Sequence, residues 1–296
     1  MYSLYIVWYI FLAGMGGGAY TVASVFSLAR RFSKKRQFQE YRHLADNGFI
    51  LGLILVASGA VFLLFDLGSP EKAYLALISL RFSILSIGAW LIVLFCLSAT
   101  ASLLNHYHPL ISFPSIVEIC LQILTLIFAI GLVTYTGVYI AAMPSMPFHN
   151  HWLLVVLFVL SSLSTGSAVI AIFGFLNQHR KAMLYSLRLI PKIDMVLIVM
   201  EILTLGAFIC ISYFGDERVT YSLQILMFGE RGLFFWLGVV ITGLVLPLLC
   251  AFLSLRNPQG NLAALSSLFI IVGGFFLRYC LISAGIHISQ FIPLQG

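Results

Sequence analysis

The sequence predicts an all-α integral membrane protein with eight transmembrane helices, and two observations carry this prediction. Of the 296 residues 61% are hydrophobic and 9% are charged, and the mean hydropathy is +1.06. This composition excludes a water-soluble domain. The apolar residues also come in eight runs long enough to cross the hydrocarbon core, which takes about 20 residues. Barrel strands would be about half as long and would alternate in polarity, so the runs predict helices.

The first four predicted spans extend over Leu4 to Ala29, Gly48 to Phe65, Phe82 to Leu104 and Ile116 to Ala142. No Lys or Arg precedes the first span, whereas a basic cluster follows it at Arg30, Arg31, Lys34, Lys35 and Arg36. A cleavable signal has its positive charge in front of the apolar run. We therefore expect a membrane span with its N-terminus outside.

The last four predicted spans extend over Trp152 to Leu176, Ile193 to Phe214, Leu233 to Leu255 and Leu262 to Ile288. The loops between the eight spans lie alternately on the two sides of the membrane. Loops 30–46, 177–192 and 256–261 carry 6, 4 and 1 Lys or Arg, whereas 66–81 and 215–231 on the other side carry 2 each. The positive-inside rule places the basic loops in the cytoplasm and both termini outside. Because topology accounts for these loops, the pI near 9.1 implies no nucleic-acid partner.

Scarce charged residues recur at half the length of the chain. Asp66 and Asp216 each end a span, and Arg81 and Arg231 each begin the next; both pairs are 150 residues apart. An offset of four helices relates two repeats by an axis near the membrane normal. Coincidence is the alternative. The pattern predicts two four-helix bundles that form one membrane domain, residues 1–148 and 149–296.

The positions of the His and Cys residues argue against a bound haem, metal ion or iron–sulfur cluster. All seven histidines lie in loops or at a helix end: His43, His106, His108, His149, His151, His179 and His287. We expect His149 and His151 to be solvent-exposed. The five cysteines lie one per apolar segment, without the spacing that holds zinc or iron–sulfur clusters. The sequence thus predicts neither haem nor an iron–sulfur cluster in this chain.

Two charged residues lie deep within spans. An arginine there costs several kcal/mol unless it faces protein, water or a counter-charge, and Arg278 is about 15 Å from the outer end of its helix at 1.5 Å per residue. Glu201 lies at a similar depth, so the two either form a buried ion pair or Glu201 lines a proton route with Glu118 and Asp194, which lie nearer the cytoplasm. Asp194 is close to the cytoplasmic boundary, and we expect it to be solvated.

Nearer the outer boundary, a carboxyl and a phenol come at adjacent depths. Asp66 ends the second span and Tyr135 comes late in the fourth. With the deeper Arg278, they have the chemistry to bind and protonate a polar ring at the end of a hydrophobic tail. Asp66 is alternatively a helix-end residue, and Tyr135 an aromatic of the interfacial belt.

Six stretches of the chain, in order along its whole length, are informative together: Tyr9-Ile-Phe-Leu-Ala-Gly-Met-Gly-Gly-Gly-Ala19, Phe65-Asp-Leu-Gly-Ser-Pro70, Arg81-Phe-Ser-Ile-Leu-Ser-Ile-Gly-Ala-Trp90, Tyr135-Thr-Gly137, Leu163-Ser-Thr-Gly166 and Gly273-Gly-Phe-Phe-Leu-Arg278 through Ala284-Gly285. With these stretches the chain resembles the polysulfide reductase membrane subunit family (NrfD/PsrC type) and more distantly the DMSO reductase anchor. The resemblance implies a bound quinone (menaquinone or ubiquinone) near Asp66, Tyr135 and Arg278, with Arg81 and Trp90 as further cofactor-binding candidates.

The same resemblance implies a partner for electron transfer. The chain would be the quinol-oxidising or quinone-reducing subunit of a respiratory complex in a bacterial or archaeal cytoplasmic membrane. An iron–sulfur subunit on the outer face would connect it to a molybdopterin or multihaem catalytic subunit that acts on the terminal substrate. We expect the outer loops 66–81 and 215–231 to dock the iron–sulfur subunit. Parallel repeats and buried charges also suit a small-solute transporter, which is the alternative function.

Overall fold

The computed structural model describes residues 4–32, 42–66, 84–107, 114–142, 147–176, 180–229, 232–256 and 260–284. Helices account for nearly all of them: α1 (Leu4–Phe32), α2 (Arg42–Asp66), α3 (Ile84–Tyr107), α4 (Ser115–Ala141), α5 (Trp152–Leu176), α6 (Arg180–Tyr213), α7 (Glu217–Phe228), α8 (Leu246–Arg256) and α9 (Gly260–Ala284). A 3₁₀ turn, Pro147–His149, precedes α5, and a π-helical segment, Phe234–Val245, runs directly into α8.

The eight spans are confirmed, because eight helices of the described residues are long and apolar enough to cross a membrane. The fifth has the bounds that the sequence predicts. The sixth predicted span differs, since α6 begins at Arg180, within the predicted loop 177–192. Residues 180–190 are rich in Arg, Lys, Leu, Met and Ala, which favour helix without being apolar enough for the hydrocarbon.

The predicted outer loop 215–231 contains a helix of its own, α7. Glu217 lies in its first turn, where a negative charge is favourable beside the helix dipole. Leu223 and Leu226 are buried, whereas Asp216, Glu217 and Arg218 are exposed. The loop therefore packs an apolar face on the bundle and presents its charges outward.

The centre of the bundle is formed by α1 and α5, the most buried spans at 78% and 67%. Gly18 and Gly166 allow the two backbones to touch, because a Cβ on Gly18 would overlap the carbonyl of Ser162 and one on Gly166 would overlap Gly18 itself. Small residues at such crossings are how membrane helices pack closely.

The neighbours of each helix follow the same order in both halves of the chain. In residues 1–148, α1 contacts α2 and α4, and α3 contacts both α2 and α4. In residues 149–296, α5 likewise contacts α6 and α9, and the seventh span (the π segment with α8) contacts both α6 and α9. The two-bundle repeat remains a prediction that this packing favours. Below, the outer face is the one at which α2, α4, α6 and α9 end, as the basic loops predict.

Candidate functional site

A row of polar side chains descends from the outer face between α1, α2 and α4. Asp66 is the last residue of α2 and is half-buried. Its carboxyl lies within electrostatic range of Tyr139, whose ring centre is 5.9 Å from that of Tyr135, one helical turn deeper. Tyr9 of α1 in turn lies within electrostatic range of both α4 tyrosines. The predicted residues Asp66 and Tyr135 thus both lie near Tyr139.

Tyr135 is an interior residue, because only 5% of it is exposed. Its ring lies against the backbone of α3 at Gly88, where a Cβ would overlap the phenol. The alternative of an interfacial belt aromatic is therefore wrong for Tyr135. Gly88 leaves the space in which the ring sits.

Tyr9 ends the row with an unused hydrogen-bonding group. The residue is 1% exposed, and its hydroxyl has no partner among the side chains and backbone that the structure describes. A buried hydroxyl without a partner costs about 1–3 kcal/mol. The phenols of Tyr9 and Tyr135 and the carboxyl of Asp66 can offer such groups to a polar ring that enters from the outer half of the membrane.

The other two predicted cofactor ligands stand apart from this row. Trp90 is 48% exposed on α3. It follows Gly88 by two residues, which on a helix turns it about 200° away from the face of Tyr135. Arg81 lies outside the described residues. Both remain predictions as cofactor-binding residues.

Arg278 is fully buried between α9, α5 and α1. Its Nη1 donates to Ser161 Oγ at 3.1 Å and to the carbonyl of Gly274 at 2.9 Å, and its Nη2 donates to Ser162 Oγ at 2.8 Å. The guanidinium carbon is 5.6 Å from the ring centres of both Phe11 and Phe158. These contacts hold Arg278 on the α5 side of α1, whereas Asp66 and Tyr135 belong to α2 and α4.

Glu201 lines a small cavity near this arginine. Within the part of the chain that the structure describes, no ion pair joins Glu201 to Arg278 and Glu201 Oε1 has no hydrogen-bond partner. The two groups still interact electrostatically. Of the two predicted alternatives, the direct ion pair is therefore wrong. Ser161, whose hydroxyl accepts from Arg278, lines the same cavity as Glu201.

The prediction that Asp194 is solvated is also wrong, because only 2% of this residue is exposed. Ser167 of α5 covers it and donates to Asp194 Oδ1 at 2.5 Å. Glu118, the other predicted proton carrier, forms an ion pair with Arg31, and 36% of its side chain is exposed. Asp194 is therefore buried on the same helix as Glu201, α6, whereas Glu118 lies on α4 and is partly exposed.

His149 differs from its predicted exposure as well. It is fully buried beneath the end of α9, where Nε2 lies 2.9 Å from the carbonyl of Leu281. This carbonyl belongs to the last turn of α9, whose carbonyl groups lack partners within the helix. Nε2 therefore carries the proton and donates it. Burial lowers the pKa of His149 from its usual 6.5, and the bond to Leu281 opposes this. His151 is half-buried.

Sequence reasoning missed Tyr9, Tyr139 and Gly88. Tyr139 follows Tyr135 by four residues, so the two share one face of α4, and this spacing is a usable signal. Tyr9 and Gly88 reach the site only through the packing of α1 and α3 against α4. Both residues belong to stretches that resemble the family, Tyr9–Ala19 and Arg81–Trp90, but their positions in those stretches do not indicate that they face Tyr135.

Comparison with known proteins identifies the family that this chain matches. The profile of the family described as "Polysulphide reductase, NrfD" matches residues 1–290. Among curated proteins, the chain is similar to "Protein NrfD homolog" of Haemophilus influenzae, with 27% identity over 94% of this chain and 92% of the relative. It is also similar to the C subunit of polysulfide reductase of Wolinella succinogenes and to "Protein NrfD" of Escherichia coli, at 26% and 28% identity with the same coverage.

Proposed function

The chain belongs to the polysulphide reductase NrfD family, and we propose that it is the quinone-binding membrane subunit of a respiratory oxidoreductase complex. One relative is named as the C subunit of polysulfide reductase, a name that places it in an enzyme of several polypeptides. The observation that carries the proposal is the row Asp66, Tyr139, Tyr135 and Tyr9, a set of polar side chains at the outer end of an apolar bundle. A quinone has the matching form, a polar ring on an apolar tail.

The residues of the row fit such a ligand. The Tyr9 hydroxyl is buried and lacks a partner among the described residues, so it can donate a hydrogen bond to a quinone oxygen. Asp66 is half-buried at the outer boundary, where a carboxylate can take up a proton and pass it to water. Gly88 fixes where the Tyr135 ring stands. The apolar tail would remain among the lipid-facing side chains.

When bound, a quinol supplies two electrons and two protons. In our proposal Tyr9 and Tyr135 hold the ring oxygens, and Asp66 accepts one proton as the ring is oxidised. The second proton goes to water at the outer face, and the two electrons pass one at a time to the iron–sulfur clusters of a partner subunit. The reverse sequence reduces a quinone. Arg278 keeps its contacts to α5 throughout, so its part is to set the electrostatic field of the bundle interior.

The partner would dock on the outer face beside this row. The start of α7 presents Asp216, Glu217 and Arg218 there, whereas the other predicted docking loop, 66–81, lies beyond Asp66 outside the described residues. We propose that this surface binds the iron–sulfur subunit, which passes electrons to or from a molybdopterin or multihaem subunit. The complex would lie in a bacterial or archaeal cytoplasmic membrane. Proton release outside would conserve no energy by itself, so any energy conservation needs a proton route from the other side.

The test is to purify the tagged chain with its partners and measure quinol-dependent reduction of their iron–sulfur clusters. Asp66→Asn is compared with Asp46→Asn, a matched control at the opposite end of α2, where Asp46 pairs with Arg42 and His106. We expect cluster reduction to be lost in Asp66→Asn and kept in Asp46→Asn. Equal rates in both variants would remove Asp66 from the site. A chain that is complete without a cluster-bearing partner would favour the transporter.

A further inference from the structure

A second polar centre lies in the middle of the membrane, away from the row at the outer end of α2. It is a cavity between α5, α6, α9 and the π segment, with about 10 Å³ open to the centre of a water molecule, which is room for about one ordered water. Glu201 and Ser164 line it. Both are buried, and Glu201 Oε1 and Ser164 Oγ have no partner among the described residues.

We propose that this cavity holds one ordered water bonded to Glu201, Ser164 and Ser161, and that Glu201 with this water is a proton-binding site. A buried water typically makes about three hydrogen bonds. Glu201 Oε1 and Ser164 Oγ lack partners among the described residues, and the Ser161 hydroxyl, which accepts from Arg278, can still donate to the water. The inference deepens the proposed function, on which it rests for its place in turnover: it supplies the proton route from the basic-loop side that quinol oxidation alone lacks.

The walls of the cavity favour a neutral Glu201. An ionised carboxylate buried without full hydrogen bonding is strongly unfavourable, and such a group keeps its proton instead. Arg278 of α9 and Asp194 of α6 are the charged groups that act on Glu201. Helix α5 and the π segment contain no Asp, Glu, Lys, Arg or His, and α8 carries Arg256 only at its end. The charges of α7 lie at the outer surface.

Arg278 makes the proton of Glu201 removable. Its guanidinium is buried, and its described hydrogen bonds go to neutral groups on Ser161, Ser162 and Gly274. Its positive charge is therefore compensated by no carboxylate in contact. When Glu201 ionises, its attraction to Arg278 offsets part of the cost of a buried negative charge. Loss and uptake of the proton thus become reversible, which an isolated buried carboxyl would not allow.

Asp194 connects the site to the basic-loop side. It lies seven residues before Glu201 on α6, about 10 Å nearer that side and on the same helical face. Ser167 can serve both forms of its carboxyl. The hydroxyl donates to ionised Asp194 at 2.5 Å, or donates to the carbonyl of Ser164 at 2.9 Å while accepting from protonated Asp194. In this proposal a proton that reaches the buried Asp194 from the basic-loop side moves on toward Glu201, with Ser164 between them and no electron transferred.

Infrared spectroscopy of the purified complex tests this without quinol. A protonated carboxyl has a C=O stretching band that shifts when the proton is exchanged for deuterium. We expect such a band in the wild type and in Asp46→Asn, its loss in Glu201→Gln, and a shifted band in Glu201→Asp. Ser164→Ala removes one partner of the water, so the band should shift there too. In Asp194→Asn, deuterium exchange of the Glu201 band should be several-fold slower.

A separate result would contradict each part of the proposal: the proton site, the bound water and the entry path. A spectrum unchanged by Glu201→Gln overturns the proton site, and a band unmoved in Ser164→Ala overturns the bound water. Exchange at the wild-type rate in Asp194→Asn overturns the entry path. Quinol-dependent cluster reduction is measured on the same samples, and because the band does not depend on it, the quinone site and the proton site can fail separately. Co-purification of the partners shows that each variant is assembled.

Discussion

Replacing Gly88 by alanine tests whether the position of the Tyr135 ring matters for quinol oxidation. A Cβ needs about 3.4 Å from its neighbours, and the nearest atoms of the Tyr135 phenol lie about 1 Å inside that limit. The ring, the helix α3 or both must shift by that amount. Overpacking of this kind costs about 1–3 kcal/mol of stability, and a misplacement of about 1 Å at a reacting site can lower the rate about 100-fold.

Gly206→Ala is the matched control, because a Cβ there has no atom within 4 Å in the described part of the chain. Both changes place alanine in a helix, which gains about 1 kcal/mol of helix propensity in each case. The assay is quinol-dependent reduction of the partner's clusters, normalised to assembled complex. We expect a fall of about 10- to 100-fold in Gly88→Ala and no change in Gly206→Ala.

The combination with Tyr135→Phe shows whether the effect passes through the phenol. If Gly88→Ala acts by displacing Tyr135, the two changes touch one interaction and their effects on the barrier should not add. Wild-type cluster reduction in Gly88→Ala would overturn this mechanism, since the ring would then be free to move without consequence. Fully additive losses would place the effect of Gly88→Ala elsewhere in α3.

Three other side chains carry predictions of their own. Asp66→Glu keeps a carboxyl at the end of α2 and should retain more cluster reduction than Asp66→Asn, which loses a proton acceptor and about 100-fold or more in rate. Burial lowers the pKa of His149 below 6.5, so the unfolded chain binds the proton more tightly, and the stability of the folded chain should fall as the pH falls below 6.5. In thermal unfolding of the detergent-solubilised complex, His149→Gln should make the melting temperature depend less on pH in this range. Arg278→Lys cannot make the two separate hydrogen bonds of the guanidinium to Ser161 and Ser162 and should lower the unfolding free energy by about 1–3 kcal/mol. Arg256→Lys at the end of α8 should leave the unfolding free energy unchanged.

Hydropathy predicts the spans because the membrane imposes their length, and α5 shows this with bounds identical to those predicted. It does not predict the beginning of α6, since the composition of residues 180–190 favours helix but is not apolar enough for a span. The π segment is equally hidden. Its residues are as apolar as those of the α-helical spans, and its wider turn shows in backbone hydrogen bonds such as that from the Leu246 N–H to the carbonyl of Ile241, five residues earlier.

For the polar residues, the sequence predicts the depth in the membrane but not the direction in which the side chain points. The position of a residue along its span predicts its depth, and depth alone indicates that Asp66 and Tyr135 lie near each other. It does not identify the facing helix, so it cannot predict the cover that Ser167 provides for Asp194. A short polar loop favours an exposed His149, yet the 3₁₀ turn folds this residue under the last carbonyls of α9. Both errors arise from contacts between residues far apart in sequence.

The proposed function requires that a quinone bind at the outer ends of α1, α2 and α4. Photolabelling of the purified complex with an azidoquinone, followed by mapping of the modified peptides, examines this without relying on turnover. We expect adducts on peptides that contain Tyr9, Asp66 or Tyr139, with less labelling when excess unlabelled quinone competes. Adducts confined to α6 and α9, or labelling that quinone does not compete away, would contradict a quinone site in this row.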